Sequence, residues 1–367
     1  MVKKFVYGTP FETEAVVKEI PSSEGNPDYG TFSTENGFSF TTKLADEDMV
    51  FGLGEANRGI NKRGFLYISD CADDPNHVES KTSLYAAHNF IIISGKTHVG
   101  FFFDYPGTLR FDIGYTTSDT MTVSCENADL YVYMITGDSD LDIVKQFRGI
   151  IGRSYIAPKF AFGYGQSRWG YKTEDDFRTV VKKYRENHVP LDMVYMDIDY
   201  MQDYKDFTVN EERFPDFEGF VQDMKKEKIH LVPIIDAGVK VEKDYDIYEE
   251  GCEKGYFCRR EDGSYFEATV WPGWTHFPDV LNADARKWFG DKYDVLVSKG
   301  IDAFWNDMNE PSIFYSQEGL ADFKETAKKY VEGDPEVPHY MVGGKLQALA
   351  NNHEDYKRFY HNVNGEQ

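Results

Sequence analysis

Carboxylates and tryptophans gather at the ends of apolar runs in the second half of the chain. In order, those ends carry Arg168 and Trp169, then Asp197 and Asp199, then Asp236, then Trp305, Asp307 and Glu310. A buried carboxylate costs free energy unless it is paired, so packing alone is a poor account of this series. The competing account is helix capping, where Asp is favoured; for Asp199 and Asp236 the two readings balance. Asp307 sits in an aromatic strand end between Trp305 and Met308, which favours chemistry. All five tryptophans (Trp169, Trp271, Trp274, Trp288, Trp305) fall in the same region. Flat rings suit the C–H faces of a pyranose, and nearby carboxylates accept hydrogen bonds from its hydroxyls. The chemistry implied is glycoside hydrolysis, one carboxylate attacking the anomeric carbon while another protonates the leaving oxygen. Trp288 shares a helical stripe with Ala285 and Phe289 and reads as core. Trp271 and Trp274, in the run WPGW, read as exposed near the mouth of the site.

These residues need a scaffold that brings run ends together. From Pro158 the pattern alternates strand and helix. FAFGYGQSRW reads as a strand, followed by a helix over 173–188 that Thr173 caps with Asp176 in the third position of a capping box. Phe177, Val180, Val181 and Tyr184 recur at helical spacing on one face. DMVYMDID is a second strand, then a helix with Phe217, Phe220, Val221 and Met224 in the same spacing. LVPIID is a third strand, and IDAFWND a fourth after a helix over 283–299 that ends at Gly300. Four such repeats predict a parallel sheet with its chemistry at the C-terminal strand ends. The long interval between the third and fourth strands calls for an inserted loop or hairpin near Lys240–Pro278. The segment SIFYSQEGLADFKETAKKYVEG reads as helical.

Residues 1–150 differ. FSFTTKL, HNFIIISG, VGFFFDY, TLRFDIGYTT, MTVSCEN and ADLYVYMIT are short, β-branched or aromatic, and bounded by turn residues, the pattern of a β-sandwich. A helical turn in LDIVKQFRGIIG leads out of it. The expected fold is therefore α/β plus β: a sandwich over 1–150, then over 151–367 the first half of a (β/α)8 TIM-type barrel. Insertions are expected near 240–280 and 312–360.

The chain of 367 residues carries 40 Lys and Arg against 63 Asp and Glu, a net charge of -23. That sign argues against nucleic acid, whose affinity comes mainly from basic residues neutralising phosphates, and against anionic membrane surfaces. No run approaches the ~20 apolar residues of a membrane helix, and the N-terminus lacks a secretory signal; a cytoplasmic location is expected. The cysteines Cys71, Cys125, Cys252 and Cys258 lack metal spacing and read as reduced structural thiols. Neither the Gly163/Gly165 pair nor any other glycine cluster makes a phosphate loop.

The run GIDAFWNDMNEPSIF resembles the signature of glycoside hydrolase family 31, the α-glucosidase and α-xylosidase family. FGYGQSRWGY, VPLDMVYMDIDYM, FPDF, VPIIDAGV and WPG agree in order, and FGLGE extends the resemblance into the β domain. The resemblance implies that Asp307 is the catalytic nucleophile. It implies that Asp197 holds hydroxyls of the non-reducing glucose, with Ile198, Ile234, Trp271, Trp305 and Met308 as walls of that subsite. Trp169 would border the aglycone subsite, and Asp73 would contribute from a loop of the β domain. Glu310, Asp199 and Asp236 are expected to support their neighbours. Ile198 favours glucosidase over xylosidase.

The activity so implied is exo-acting, retaining hydrolysis of terminal α-linked glucose through a covalent glucosyl–Asp307 intermediate. Substrates would be short oligosaccharides of the maltose or isomaltose type. No cofactor and no metal are expected: the acidic groups Asp70, Asp73, Asp74 and Asp197, Asp199 show no calcium-loop pattern. Self-association of the full-length protein is left open. The family's acid/base Asp, with an Arg and a His of the sugar site, belongs to the second half of the barrel. The chain is thus expected to be the N-terminal portion of a longer enzyme. Lacking the acid, which typically contributes ~10²–10⁴-fold, this portion alone would lose most of its rate. Alternatives are an α-xylosidase, a non-catalytic sugar-binding fragment, or a β-glycosidase in which Asn309-Glu310 supplies the acid/base.

Overall fold

The computed structural model describes residues 1–71, 77–309 and 312–316. Asp73 and Glu310 lie outside the described residues. Two compact units divide between Tyr155 and Ile156.

The first unit is built from two antiparallel five-stranded sheets. In one, Val2–Tyr7, Leu130–Gly137, His98–Asp104, Ala87–Ser94 and Met49–Gly54 lie side by side. The other runs Thr31–Ser33, Phe38–Lys43, Thr120–Cys125, Leu109–Ile113 and Phe65–Ser69. Alternate residues of facing strands meet between them, and Phe40, Phe101, Phe103 and Phe111 have no exposed surface. The rings of Phe40 and Phe101 stand 4.7 Å apart. The helix Asp140–Ile151, capped by the Ser139 hydroxyl, covers the other face of the first sheet. There Phe147 stacks on Phe90 at 3.8 Å, among Ile92, Tyr133, Ile135 and Ile143. Burial on both faces explains why Leu130–Ile135 is a continuous apolar run with no alternation.

The second unit holds four parallel strands in the order Gly165–Gln166, Met193–Met196, His230–Asp236, Trp305–Asp307. Helices Glu174–Glu186 and Phe217–Lys226 connect them. The first starts at Thr173, whose side chain and that of Asp176 satisfy each other's backbone amides in the expected box. Phe177 and Val181 bury its inner face, while Phe217, Phe220, Val221 and Met224 bury that of the second.

Local departures from the sequence expectation have identifiable causes. The first strand keeps only Gly165 and Gln166, because Lys159–Phe162 closes a 3-10 turn behind Pro158. The helix expected over 283–299 divides into Ala283–Lys292 and Asp294–Val297. At the division the Tyr293 amide reaches only three residues back, to Gly290, a tightened turn. Tyr293 itself is anchored against Phe207 and Phe304, with its hydroxyl donating to Asn306 at 2.6 Å. The interval between the third and fourth strands contains helix Asp246–Lys254 and the hairpin Glu267–Val270/Gly273–His276. Tyr315–Ser316, expected as helix, instead pairs as a strand with that hairpin; the remainder of the expected helix lies outside the described residues. Among the described residues no helix is long and apolar enough to cross a membrane.

Candidate active site

Strand register sets the site. Ile234 pairs with Trp305 and Asp236 with Asp307, so the third and fourth strands finish at the same level. The second strand finishes one residue before Asp197, its Met196 paired with Pro233. Asp197, Ile198, Ile234, Asp236, Trp305, Asp307 and Met308 therefore share one end of the sheet.

Asp197 ends its strand by capping a 3-10 turn, Ile198–Tyr200, with Oδ1 accepting the Ile198 amide at 2.8 Å. Asp307 repeats the device: its Oδ1 accepts the Met308 amide at 2.9 Å. Met308 holds a φ of 59°, a left-handed conformation that an unbranched L-residue rarely adopts and that clusters at functional sites. Each carboxylate is thus fixed by the amide that follows it. Burial raises the pKa of Asp197; the Ile198 amide opposes this, and the charges of Asp199 and Asp307 add to it.

The residues expected as apolar walls are packed around this end of the sheet. Ile198, Ile234 and Met308 are buried, and Trp305 meets Tyr195 edge-on at 6.0 Å. Trp271 stands edge-on to Phe314 at 5.0 Å and tilts against Trp169 at 6.1 Å. Trp169 is 55% exposed, while Trp271 and Trp274 are half-buried, less open than expected. Trp288 belongs to the core, as its stripe suggests.

Asp199 and Asp236, expected to support their neighbours, differ in their surroundings. Asp199 lies inside the 3-10 turn, where Arg213 bonds both its carboxylate, at 3.2 Å, and its carbonyl, at 2.7 Å. Lys172 adds an ion pair at 4.0 Å. Asp199 therefore ties down the following loop. Asp236 caps no helix; it is buried beside Asp307, with its pKa pushed up to about 7 by burial first, then by the charges of Asp307 and Asp197. Arg168 is exposed. Sequence reasoning missed Asp206, which is fully buried and accepts the Asp236 amide at 3.0 Å. It lies in an irregular loop, so no periodicity marks it. Among the described residues no group of three His, Cys, Asp or Glu side chains could hold a metal ion.

Two family models match the chain: the glycosyl hydrolases family 31 TIM-barrel domain over residues 154–366, and the glycosyl hydrolase 31 N-terminal galactose mutarotase-like domain over 11–112. Alpha-glucosidase 2 of Bacillus thermoamyloliquefaciens is 38% identical over 277 residues, 74% of this chain and 35% of that protein. The alpha-glucosidase of Saccharolobus solfataricus is 26% identical over 371 residues, 98% of this chain and 52% of that protein. The chain spans about half the length of these relatives, or less. Among solved structures, the catalytic subunit of an ER glucosidase II heterodimer superposes with a TM-score of 0.68 at 26% identity, covering 76% of this chain and 33% of that one. A GH31 dextranase of Flavobacterium johnsoniae with isomaltotriose shares the fold, with a TM-score of 0.71 at 21% identity over 91% of this chain and 40% of that one. A barrel-domain match over more than half of the residues, joined to the N-terminal domain match, makes this chain a member of glycosyl hydrolase family 31.

Proposed function

We propose that the protein carrying this chain is a retaining exo-α-glucosidase that removes terminal, non-reducing α-linked glucose from short oligosaccharides. The observation that carries the reading is Asp307: a half-buried carboxylate at a strand end, clamped by the Met308 amide between Trp305 and buried Met308. A nucleophile must be aimed, and the clamp supports that by fixing one carboxylate oxygen with a charge-assisted bond from an amide.

In the proposed mechanism Asp307 attacks the anomeric carbon, the glycosidic bond breaks, and a glucosyl–Asp307 ester forms. A second carboxyl group, outside the described residues, donates a proton to the leaving oxygen. It then takes one from the water that releases glucose. Asp197 accepts hydrogen bonds from glucose hydroxyls, Ile198, Ile234, Trp271, Trp305 and Met308 wall the ring, and Trp169 borders the aglycone. The names of the α-glucosidase relatives support α-glucosides as the substrate class, within which the reading is maltose- or isomaltose-type oligosaccharides.

The direct test is covalent trapping with a 5-fluoro-α-glucosyl fluoride, whose good leaving group needs no acid, followed by peptide mapping. A label on Asp307, absent after Asp307→Asn, is expected. A label on another carboxylate overturns the assignment.

A further inference from the structure

Beneath the proposed sugar-site carboxylates lies an acidic pair that the mechanism leaves unused. Asp206 has no exposed surface and Asp236 only 2%. One oxygen of Asp206 accepts the Asp236 amide at 3.0 Å. Among the described residues, three oxygens then remain buried without a hydrogen-bond partner, the other one of Asp206 and both of Asp236. An ionised carboxylate can only accept, and the neighbouring phenols are committed elsewhere. Tyr200 donates to the Ile234 carbonyl at 2.8 Å, Tyr245 to the Asp206 carbonyl at 2.8 Å, and Tyr293 to Asn306 at 2.6 Å. Among the described residues no side chain donates to these oxygens, and a proton on the carboxyls themselves would supply a donor.

The loop that delivers Asp206 is held against its own preferences. Asp203, Tyr204 and Phe207 take φ values of 52°, 60° and 60°. Left-handed non-glycine residues persist only where the surroundings over-determine them. Phe207 is packed against Phe289 and Tyr293, which fixes Asp206 one residue before it.

We propose that Asp206 and Asp236 share a proton at neutral pH and together form the positioning element for Asp307. Asp236 is the register partner of Asp307 on the adjacent parallel strand, so locking Asp236 to the loop locks the level at which Asp307 leaves its strand. The groups facing the pair are Tyr200 from the 3-10 turn, Asp197 from the second strand, Asp307 from the fourth, Tyr245 before the inserted helix and Tyr293 from the helix junction. Two carboxylates sharing one buried place cannot both ionise. Burial accordingly lifts Asp206 well above the ordinary carboxylate range, with the charge of Asp236 adding to it. The shared proton joins one oxygen of each carboxyl, two of the three orphaned atoms, and keeps a second negative charge away from Asp307 and Asp197. The positioning half of the proposal rests on Asp307 being the nucleophile; the proton-sharing half does not.

The test uses the full-length protein and the variants Asp206→Asn and Asp236→Asn, with thermal melting as a check on folding. Infrared difference spectra at neutral pH should show a buried protonated carboxyl in the parent that each substitution removes. A parent-minus-variant difference spectrum with no loss or shift of a protonated-carboxyl band, in a variant that melts like the parent, overturns the proposal; if one variant fails to fold, the other decides. In kinetics, Asp236→Asn should leave the acid limb of kcat/KM in place, because the amide reproduces a carboxyl already neutral there. A shift of that limb by about one pH unit or more would mean that Asp236 is ionised in the working enzyme, which also overturns it. If the parent turns over no α-glucoside, the glucosidase reading fails separately, and the spectra still report on the pair.

Discussion

Asp197→Asn separates what Asp197 does for the sugar from what it does for the fold. Its Oδ1 is occupied by the Ile198 amide at 2.8 Å. The amide side chain of Asn can keep that bond, so the 3-10 turn should survive. What changes is the second oxygen, which becomes an N–H donor where the proposed subsite needs an acceptor for glucose hydroxyls. Hydrogen bonds to charged groups contribute about 1.5–3 kcal/mol each. Losing two of them would cost about 3–6 kcal/mol, a fall of about 10²–10⁴ in kcat/KM. Stability should move the other way, because the lost charge is one that burial, Asp199 and Asp307 all disfavour. The assay is kcat/KM on an aryl α-glucoside and on maltose, beside a melting curve for the same preparation. A matched fall in kcat and kcat/KM would assign the bonds to the transition state, and a rise in KM alone to ground-state binding. A loss smaller than about tenfold, near 1.4 kcal/mol, would refute the sugar contact. A large loss of both activity and melting temperature would show that Asp197 serves the fold instead.

Other consequences can be checked separately. Trp271→Ala removes the ring that contacts both Phe314 and Trp169. Aromatic pairs contribute about 0.5–1.5 kcal/mol beyond burial, so KM for maltose should rise about threefold or more, as initial rates would show. Gly251→Ala lies in helix Asp246–Lys254, where Ala would ordinarily stabilise by about 0.8–1.0 kcal/mol. Here its Cβ would meet Phe257 at 2.4 Å and Trp288 at 2.9 Å. Overpacking of about 1–3 kcal/mol should win, and urea unfolding should show net destabilisation. Stability should also depend on pH through Asp236. Between its ordinary value, about 3.9, and its raised value of about 7, the folded protein holds a proton that the unfolded chain has released. This contribution is therefore lost as pH rises through that window. Melting temperatures between pH 5 and pH 8, falling in the parent and flatter in Asp236→Asn, would show it.

Local chemistry explains what could be read from the sequence. The box at Thr173 and Asp176 and the stripe from Phe177 to Val181 obey rules that span four residues, and the structure keeps them. The continuous apolar strand Leu130–Gly137 is readable for the same reason. The division of the helix at Tyr293 is not, since its cause is a set of contacts with Phe207, Phe304 and Asn306, two of them on later segments and one far upstream. The strand at Tyr315–Ser316 depends on a hairpin more than forty residues before it.

The same division runs through the site. Asp197 and Asp307 announce themselves because each ends a strand and turns back on the amide that follows, an arrangement contained in two consecutive residues. Asp236 looks no different in sequence, and capping and chemistry are equally good accounts of it there. Its pKa is raised by burial first and then by the charges of Asp307 and Asp197, and its amide is held by Asp206, thirty residues away. Position along a strand can be inferred from neighbours in the chain, but protonation is set by neighbours in space. A buried carboxyl with no donor among the described residues is therefore informative in a way that its residue type is not: three such oxygens are the ground for the proposed shared proton, and a proton there would constrain the charge beside Asp307.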